Sequence, residues 1–397
     1  MSDTRPVAVL LTPLLPLPGG SGPALRAWDW LTELARTHRV HVLVAGWMPA
    51  DLPADYPAEV VWPLPRTARR PSRWLRALGY LLPPLCLLQR RTVAEWRSPR
   101  GGRGLEQALD RLAQAPVERI VVFRLYLHDL AEVVAQRCPQ ARLELDMDDL
   151  ESHTRWSVAG ALWRMGRRGA ALRCAATALQ YALLERTLQA RYHMLWLAAA
   201  EDIARLHTRL APERGLRPNR VGLPDEAVPA PVGGTLRLLF VGTLGYAPNE
   251  EAVRDLVSKV LPELERCLRQ PWVLCVVGRR AGPELSALLH SAPRVEFLSD
   301  VEALSPCYAA AQVVLVPLRA GGGTKLKTLE AFAYRRPVVS TVQGVRGLDV
   351  TAGEHYLPAE TPAEFARAIA RLADDPALAR RIADAGHALC ARRYARS

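Results

Sequence analysis

Short all-apolar runs alternate along this chain with stretches in which apolar residues recur every three or four positions. Val7–Leu11 is the first run, the pattern of a strand buried on both faces. A Pro- and Gly-rich loop spans Pro13 to Pro23, and a helical pattern then runs from Ala24 to Arg36. Further strands are predicted at His38–Ala45, Ile120–Phe123 and Ala141–Leu145, and the stretch from Trp156 to Trp196 reads as core helix with a basic outer face. Between Ala211 and Gly234 the composition shifts to Pro, Gly and charge, which reads as a linker. A second alternation follows. Its strands are predicted at Leu236–Val241, Trp272–Val277, Val295–Leu298, Val313–Val316 and Pro337–Ser340, with helices at Asn249–Arg266 and Pro283–Leu289. Strands alternating with helices imply parallel sheets. The expectation is an α/β protein of two Rossmann-like domains, residues 1–210 and 235–397, joined by a linker over 211–234 and facing across a cleft. Such sheets bind ligands beyond the carboxyl ends of their strands.

Composition adds a bias towards anionic partners. The formal charge is +12, compatible with nucleic acid, an acidic membrane or phosphorylated substrates. No nucleic-acid module is recognisable, so that partner is not expected. Residues Arg66 to Arg100 hold nine arginines and a single acid, Glu95, around an apolar centre from Trp74 to Leu88. That pattern fits a segment lying on an anionic bilayer, or else an arginine-rich helix pair over the core. Seven scattered cysteines without C-x-x-C spacing, and no secretion signal, predict reduced, buried thiols in a cytoplasmic protein, at most at the inner face of the membrane.

The lysines carry the sharpest chemical signal. There are only three, and two of them, Lys325 and Lys327, stand in the stretch Gly321-Gly-Gly-Thr-Lys-Leu-Lys-Thr-Leu-Glu330. Glycines before a helix start expose backbone N–H groups at the positive end of the helix dipole, and a compact ammonium beside them suits a phosphate. Thr324 is placed to cap that helix, with Lys327 one turn in. Glu330 lies about 40° from Leu326 on the helical wheel, towards the apolar face, where a carboxylate needs a donor such as a ribose hydroxyl. The plain alternative is an exposed i,i+3 pair between Lys327 and Glu330.

This stretch, with Arg336-Pro-Val-Val-Ser-Thr341 and Gly344-Val-Arg-Gly347, resembles the donor-site signature of GT-B glycosyltransferases of family 4. Phe240–Asn249, Val276–Gly278 and Tyr308–Pro317 resemble a subgroup of that family, as do Pro18–Ser21, Phe123–Tyr126 and Leu145–Ser152 less distinctively. The resemblance implies that Gly242 and Thr243 approach a donor diphosphate. It implies that Lys327 and the backbone of Gly322, Gly323 and Thr324 bind phosphate, that Glu330 holds the nucleotide ribose, and that Gly19 and Gly20 face the donor. Lys325 falls where similar proteins often carry arginine. Lys327 and Glu330 would be the catalytic pair, with no metal or other cofactor. The chain departs from the family at Gly322, where a glutamate is usual, and at Tyr246–Asn249, where a basic pair is common. Arg279, at a strand end, is then a second candidate for phosphate charge.

Asp146, Asp148 and Asp149 cluster after a strand, for structural capping, acceptor contact or a metal. His128 and His153 are candidate cleft histidines, with structural roles the simpler reading. The function implied is retaining transfer of a sugar from a nucleotide-diphosphate-sugar donor to a hydroxyl of a sugar, lipid-linked or small-molecule acceptor. Such transfer belongs to glycan, polysaccharide or glycoconjugate biosynthesis. The alternative, motivated by Gly322, is a non-catalytic nucleotide-sugar-binding relative acting in an assembly.

Overall fold

The computed structural model describes residues 4–49, 51–64, 102–188, 191–206 and 213–396. The Arg66–Arg100 segment therefore lies outside the described residues. Contacts divide the chain into two compact units, one of Met1–His153 with Ala175–Arg217 and the other of Thr154–Cys174 with Pro218–Ser397.

The first unit is built on a seven-stranded sheet of β1 (Val7–Leu14), β2 (Arg39–Trp47), β3 (Val60–Pro63), β4 (Val117–Phe123), β5 (Arg142–Asp148), β6 (Met194–Leu197) and β7 (Glu213–Leu216). Its order is β3-β2-β1-β4-β5-β6-β7, with every pair parallel. Strand alternation sends Val7, Val9 and Leu11 of β1 into one apolar cluster and Ala8 and Leu10 into another, which is why that run carries no polar residue. Helix α1 (Gly22–Ala35) buries Ala27, Trp30, Leu31 and Leu34, and Pro23 near its start needs no N–H there.

Three expectations need correcting. The stretch from Trp156 to Trp196 is not one helix: α2 (Glu151–Arg164) and α3 (Arg168–Leu188) are separated by a turn at Gly166, whose φ of 75° favours glycine, and the chain then enters β6. Part of the linker, Glu213–Leu216, is an edge strand of the first sheet. The third concerns Thr154–Cys174, which packs with the second unit. Arg164 pairs with Glu251, Arg167 with Glu250, and Ser157 Oγ accepts from the Gly321 N–H at 3.0 Å.

The second unit carries a parallel six-stranded sheet of β8 (Leu236–Thr243), β9 (Trp272–Arg279), β10 (Val295–Ser299), β11 (Val313–Val316), β12 (Val338–Ser340) and β13 (Leu357–Pro358), in the order β10-β9-β8-β11-β12-β13. One apolar core runs along it, from Leu238, Phe240 and Val276 to Phe332, Ile369 and Leu389. The helix expected over Asn249–Arg266 is interrupted. Helix α4 (Ala247–Asp255) passes through a π-turn at Leu256–Val260 before Leu261–Cys267, because Pro262 cannot donate to the preceding turn.

Candidate donor site

Strand order reverses in the second sheet between β8 and β11, and there the two chains leave the sheet in different directions. A crevice at such a switch point is the usual ligand site of a parallel sheet. Here β8 ends in Gly242 and Thr243, and β11 delivers the chain to the glycine loop and then to helix α5 (Leu326–Ala333). Lys327 is the second residue of that helix. Its Nζ donates to Asn249 Oδ1 at 2.7 Å and stands 4.3 Å from the centre of the Phe240 ring. Its other two protons have no acceptor among the described residues. A Cβ on Gly242 would lie 3.0 Å from Lys327 Nζ and 3.0 Å from the Asn249 amide, so a side chain there would have to push one of them aside. Burial, reinforced by the neighbouring charge of Lys325, pushes Lys327 down to about 7 against the opposing pull of Glu330.

Glu330 is half-buried, and its Oε2 accepts from the Tyr308 hydroxyl at 2.8 Å. Burial raises the Glu330 carboxyl above its ordinary range, opposed by the Tyr308 hydrogen bond and by Lys327. Oε1 has no partner among the described residues. Tyr308 is fully buried, stacks on Tyr334 with ring centres 5.0 Å apart, and is held from behind by Arg336. That guanidinium donates to the carbonyls of Tyr308, Ala309 and Val228 at 2.7, 3.1 and 3.0 Å. A carboxylate pinned through one oxygen and open at the other is set to take a hydroxyl donor.

The glycine loop is organised by Lys325, and here the expectation changes. Lys325 is buried, and its Nζ donates to the carbonyls of Gly321, Gly322 and Gly323 at 3.2, 2.7 and 2.8 Å. It shapes the loop rather than reaching outward. Turning those carbonyls inward requires the left-handed backbone of Gly321 (φ 108°) and Gly323 (φ 62°), which only glycine adopts without strain. Thr324 does not cap the helix. Lys325 is the N-cap residue, and the Thr324 hydroxyl is buried without a partner. An orphaned buried hydroxyl beside a helix start is free to meet a ligand oxygen. Gly322, where a glutamate is usual in similar proteins, is partly exposed and supplies no side chain.

Known structures share this architecture. Sucrose-phosphate synthase from Thermosynechococcus elongatus superposes with a TM-score of 0.65 at 17% identity, covering 98% of this chain and 95% of that one. HepE of Anabaena, solved with UDP and glucose, gives 0.62 at 14%, over 98% and 95%. WaaG, a glycosyltransferase involved in lipopolysaccharide biosynthesis, gives 0.58 at 17%, over 97% and 95%. Residues 235–375 match the Glycosyl transferases group 1 family. The two parallel sheets have the GT-B fold of those structures, and residues 235–375 are similar to the group 1 glycosyltransferases. None of the curated proteins matches the sequence.

The remaining candidates sit on other elements. Gly19 and Gly20 form an exposed turn in the first unit, with φ 98° at Gly20 and open space around both. The acidic cluster is tied to arginines. Arg26 grips Asp146 through two bonds of 2.8 Å, Trp30 Nε1 donates to Asp146 at 2.6 Å, and Arg124 joins Asp148 and Asp149 at 2.6 and 2.9 Å. His128 meets the Tyr192 hydroxyl at 2.8 Å, and His153 meets Arg205 at 3.1 Å. Arg279 is exposed at the end of β9. Among the described cysteines Cys138, Cys275 and Cys390 are buried thiols, whereas Cys267 is exposed. Tyr308, Asn249 and Arg336 escaped sequence reasoning as site residues. All three lie inside the quoted motifs, and only the tertiary fold turns Tyr308 towards Glu330, with Arg336 behind it, and Asn249 towards Lys327.

Proposed function

We propose that this chain transfers a sugar from a nucleotide-diphosphate sugar to an acceptor hydroxyl. The observation that carries the reading is Lys327, an ammonium with two uncommitted protons over the Gly242–Thr243 strand end. In the transition state negative charge grows on the departing diphosphate, and a charge already fixed where that oxygen will lie stabilises it most. The unpartnered Thr324 hydroxyl and the N–H groups of the α5 start add neutral donors. Glu330 Oε1 suits a ribose hydroxyl. HepE of Anabaena, solved in complex with UDP and with UDP-glucose, supports a nucleotide sugar as donor.

The family 4 resemblance supports retention of anomeric configuration, a role in glycan or glycoconjugate assembly, and a reaction that needs no metal. The acceptor, a sugar, lipid-linked or small-molecule hydroxyl, is proposed to meet the first unit near Gly19 and Gly20. A cytoplasmic setting, with contact of Arg66–Arg100 to an anionic membrane face, belongs to the same proposal. Among the described residues no helix is long and apolar enough to cross a membrane.

Replacing Lys327 with Met tests the reading. It keeps the aliphatic stem and removes the charge, so UDP affinity is expected to fall about tenfold or more and turnover of UDP-sugar by about 10²–10³. Unchanged values for both would end the phosphate role. Binding of UDP without hydrolysis or transfer over a panel of sugars and acceptors would favour the non-catalytic alternative that Gly322 raises.

A further inference from the structure

Lys327 does not reach its position unaided. The one side chain that donates or accepts a hydrogen bond with its Nζ among the described residues is Asn249, at 2.7 Å. The orientation of that amide is determined by its other end. Asn249 Nδ2 donates to the Thr243 carbonyl at 3.0 Å, and since a carbonyl only accepts, Oδ1 must be the atom that faces the ammonium. Asn249 is buried and its place on α4 is locked. Glu250 beside it takes two bonds of 2.7 Å from Arg167, and Glu251 takes bonds of 2.5 and 3.0 Å from Arg164. The same amide lies 3.0 Å from where a Gly242 Cβ would be, so strand end, amide and ammonium form one packed unit. The charged groups acting on Lys327 are Lys325 and Glu330, both from its own segment; from α4 and β8 it meets a neutral amide and an aromatic ring.

We propose that Asn249 is the positioning residue of the donor site: it holds Lys327 Nζ over the Gly242–Thr243 strand end with one proton engaged and two offered to the diphosphate. A neutral acceptor suits this task. It orients the ammonium by a directional bond without neutralising the charge that the leaving group needs, as a carboxylate at the same place would. The inference rests on the donor-site reading above and adds a residue to it.

The chain has three lysines, so lysine-specific isotope labelling gives an NMR spectrum of three side-chain signals. Lys259 is on the surface beside Asp255, Lys325 is enclosed by loop carbonyls, and Lys327→Met identifies the third signal by its loss. UDP, GDP, ADP and dTDP are titrated in parallel, and the nucleotide that binds the wild type is the probe. Asn249→Ala is expected to shift the Lys327 signal, leave that of Lys259 in place, and weaken the probe by about 10- to 100-fold. Asn249→Asp, nearly isosteric, is expected to raise the Lys327 titration midpoint by about one pH unit or more, through the added charge. Affinity within twofold of wild type in Asn249→Ala, or a Lys327 midpoint unmoved in Asn249→Asp, overturns the proposal. Should Asn249→Ala fail to fold, the Asn249→Asp titration decides alone. Absence of nucleotide binding by the wild type overturns the donor-site reading instead, since the lysine signals still report whether Asn249 governs Lys327.

Discussion

Lys327 is held in surroundings that weaken its grip on a proton, and a diphosphate would restore it. With the ammonium pushed down to about 7, the free site carries its charge below that pH and loses it above. A bound diphosphate favours the charged form, so binding above neutrality must draw in a proton. UDP affinity is therefore expected to fall as pH rises past about 7, by at most about tenfold per pH unit. Calorimetry in buffers of different ionisation enthalpy would show proton uptake on binding, and Lys327→Met would flatten the profile. A pH-independent affinity between about 6.5 and 9 would show that Lys327 keeps its proton throughout. For folding the sign follows from the same depression. Between about 7 and 10.5 the unfolded chain binds the extra proton, so this group's contribution makes the free protein more stable as pH rises across that window. The residues behind this behaviour were unequally legible in sequence. Lys327 and Glu330 stand out because charge near a helix start is informative by itself. Asn249 and Tyr308 are neutral, and their meaning lies in the atoms they face. Lys325 looked like a ligand for phosphate because spacing along a chain cannot tell an ammonium aimed outward from one folded back on its own loop.

At the scale of elements, strands such as β1, β4, β8 and β11 were legible because fully buried parallel strands read as unbroken apolar runs, whereas β3, β6, β7 and β13 were not. The α5 start was legible from its glycines. What was not legible were the places where one element is cut by another's geometry: the π-turn before Pro262, the turn at Gly166, and the departure of Thr154–Cys174 to the second unit through Arg164, Arg167 and Ser157. Gly344 shows how tightly the donor-site elements are joined. Its carbonyl accepts from Thr328 Oγ1 of α5 at 2.8 Å, while a Cβ there would lie 2.2 Å from Ser340 Oγ of β12 and 2.5 Å from the Val316 carbonyl of β11. Two of those neighbours cannot rotate away, since one is backbone and the other is a hydroxyl bonded to that same carbonyl at 3.1 Å. Gly344→Ala is expected to destabilise the second unit by about 1–3 kcal/mol, read as a lower denaturant midpoint. Gly222, exposed and with open space around it, is the control, and Gly222→Ala should stay within about 0.5 kcal/mol of wild type. Equal effects of the two would mean that β11, β12 and α5 are free to separate.

For the molecule as a whole, a formal charge of +12 offers a rival account of any nucleotide binding, because a basic surface attracts polyanions without a site. The two accounts diverge under load. A ligand that binds only the folded state stabilises it by RT ln(1 + [L]/Kd), about 2.7 kcal/mol at a hundredfold excess over Kd. The gain belongs to the unit that holds the site, whose core is continuous from Phe240 beneath Lys327 to Phe332 on α5. UDP is therefore expected to raise the melting temperature and to slow hydrogen exchange at Phe240–Asn249 and Gly321–Ala333, with the strands of the first sheet changing less. Lys327→Met lowers the formal charge by only one and should nonetheless abolish most of the shift. Inorganic tripolyphosphate, acting through diffuse charge, should stabilise wild type and variant alike and lose its effect as salt shortens the screening length to about 3 Å near 1 M. If UDP behaves like tripolyphosphate in both respects, the arginine-rich surface and not the crevice at the β8–β11 switch point is what meets the nucleotide.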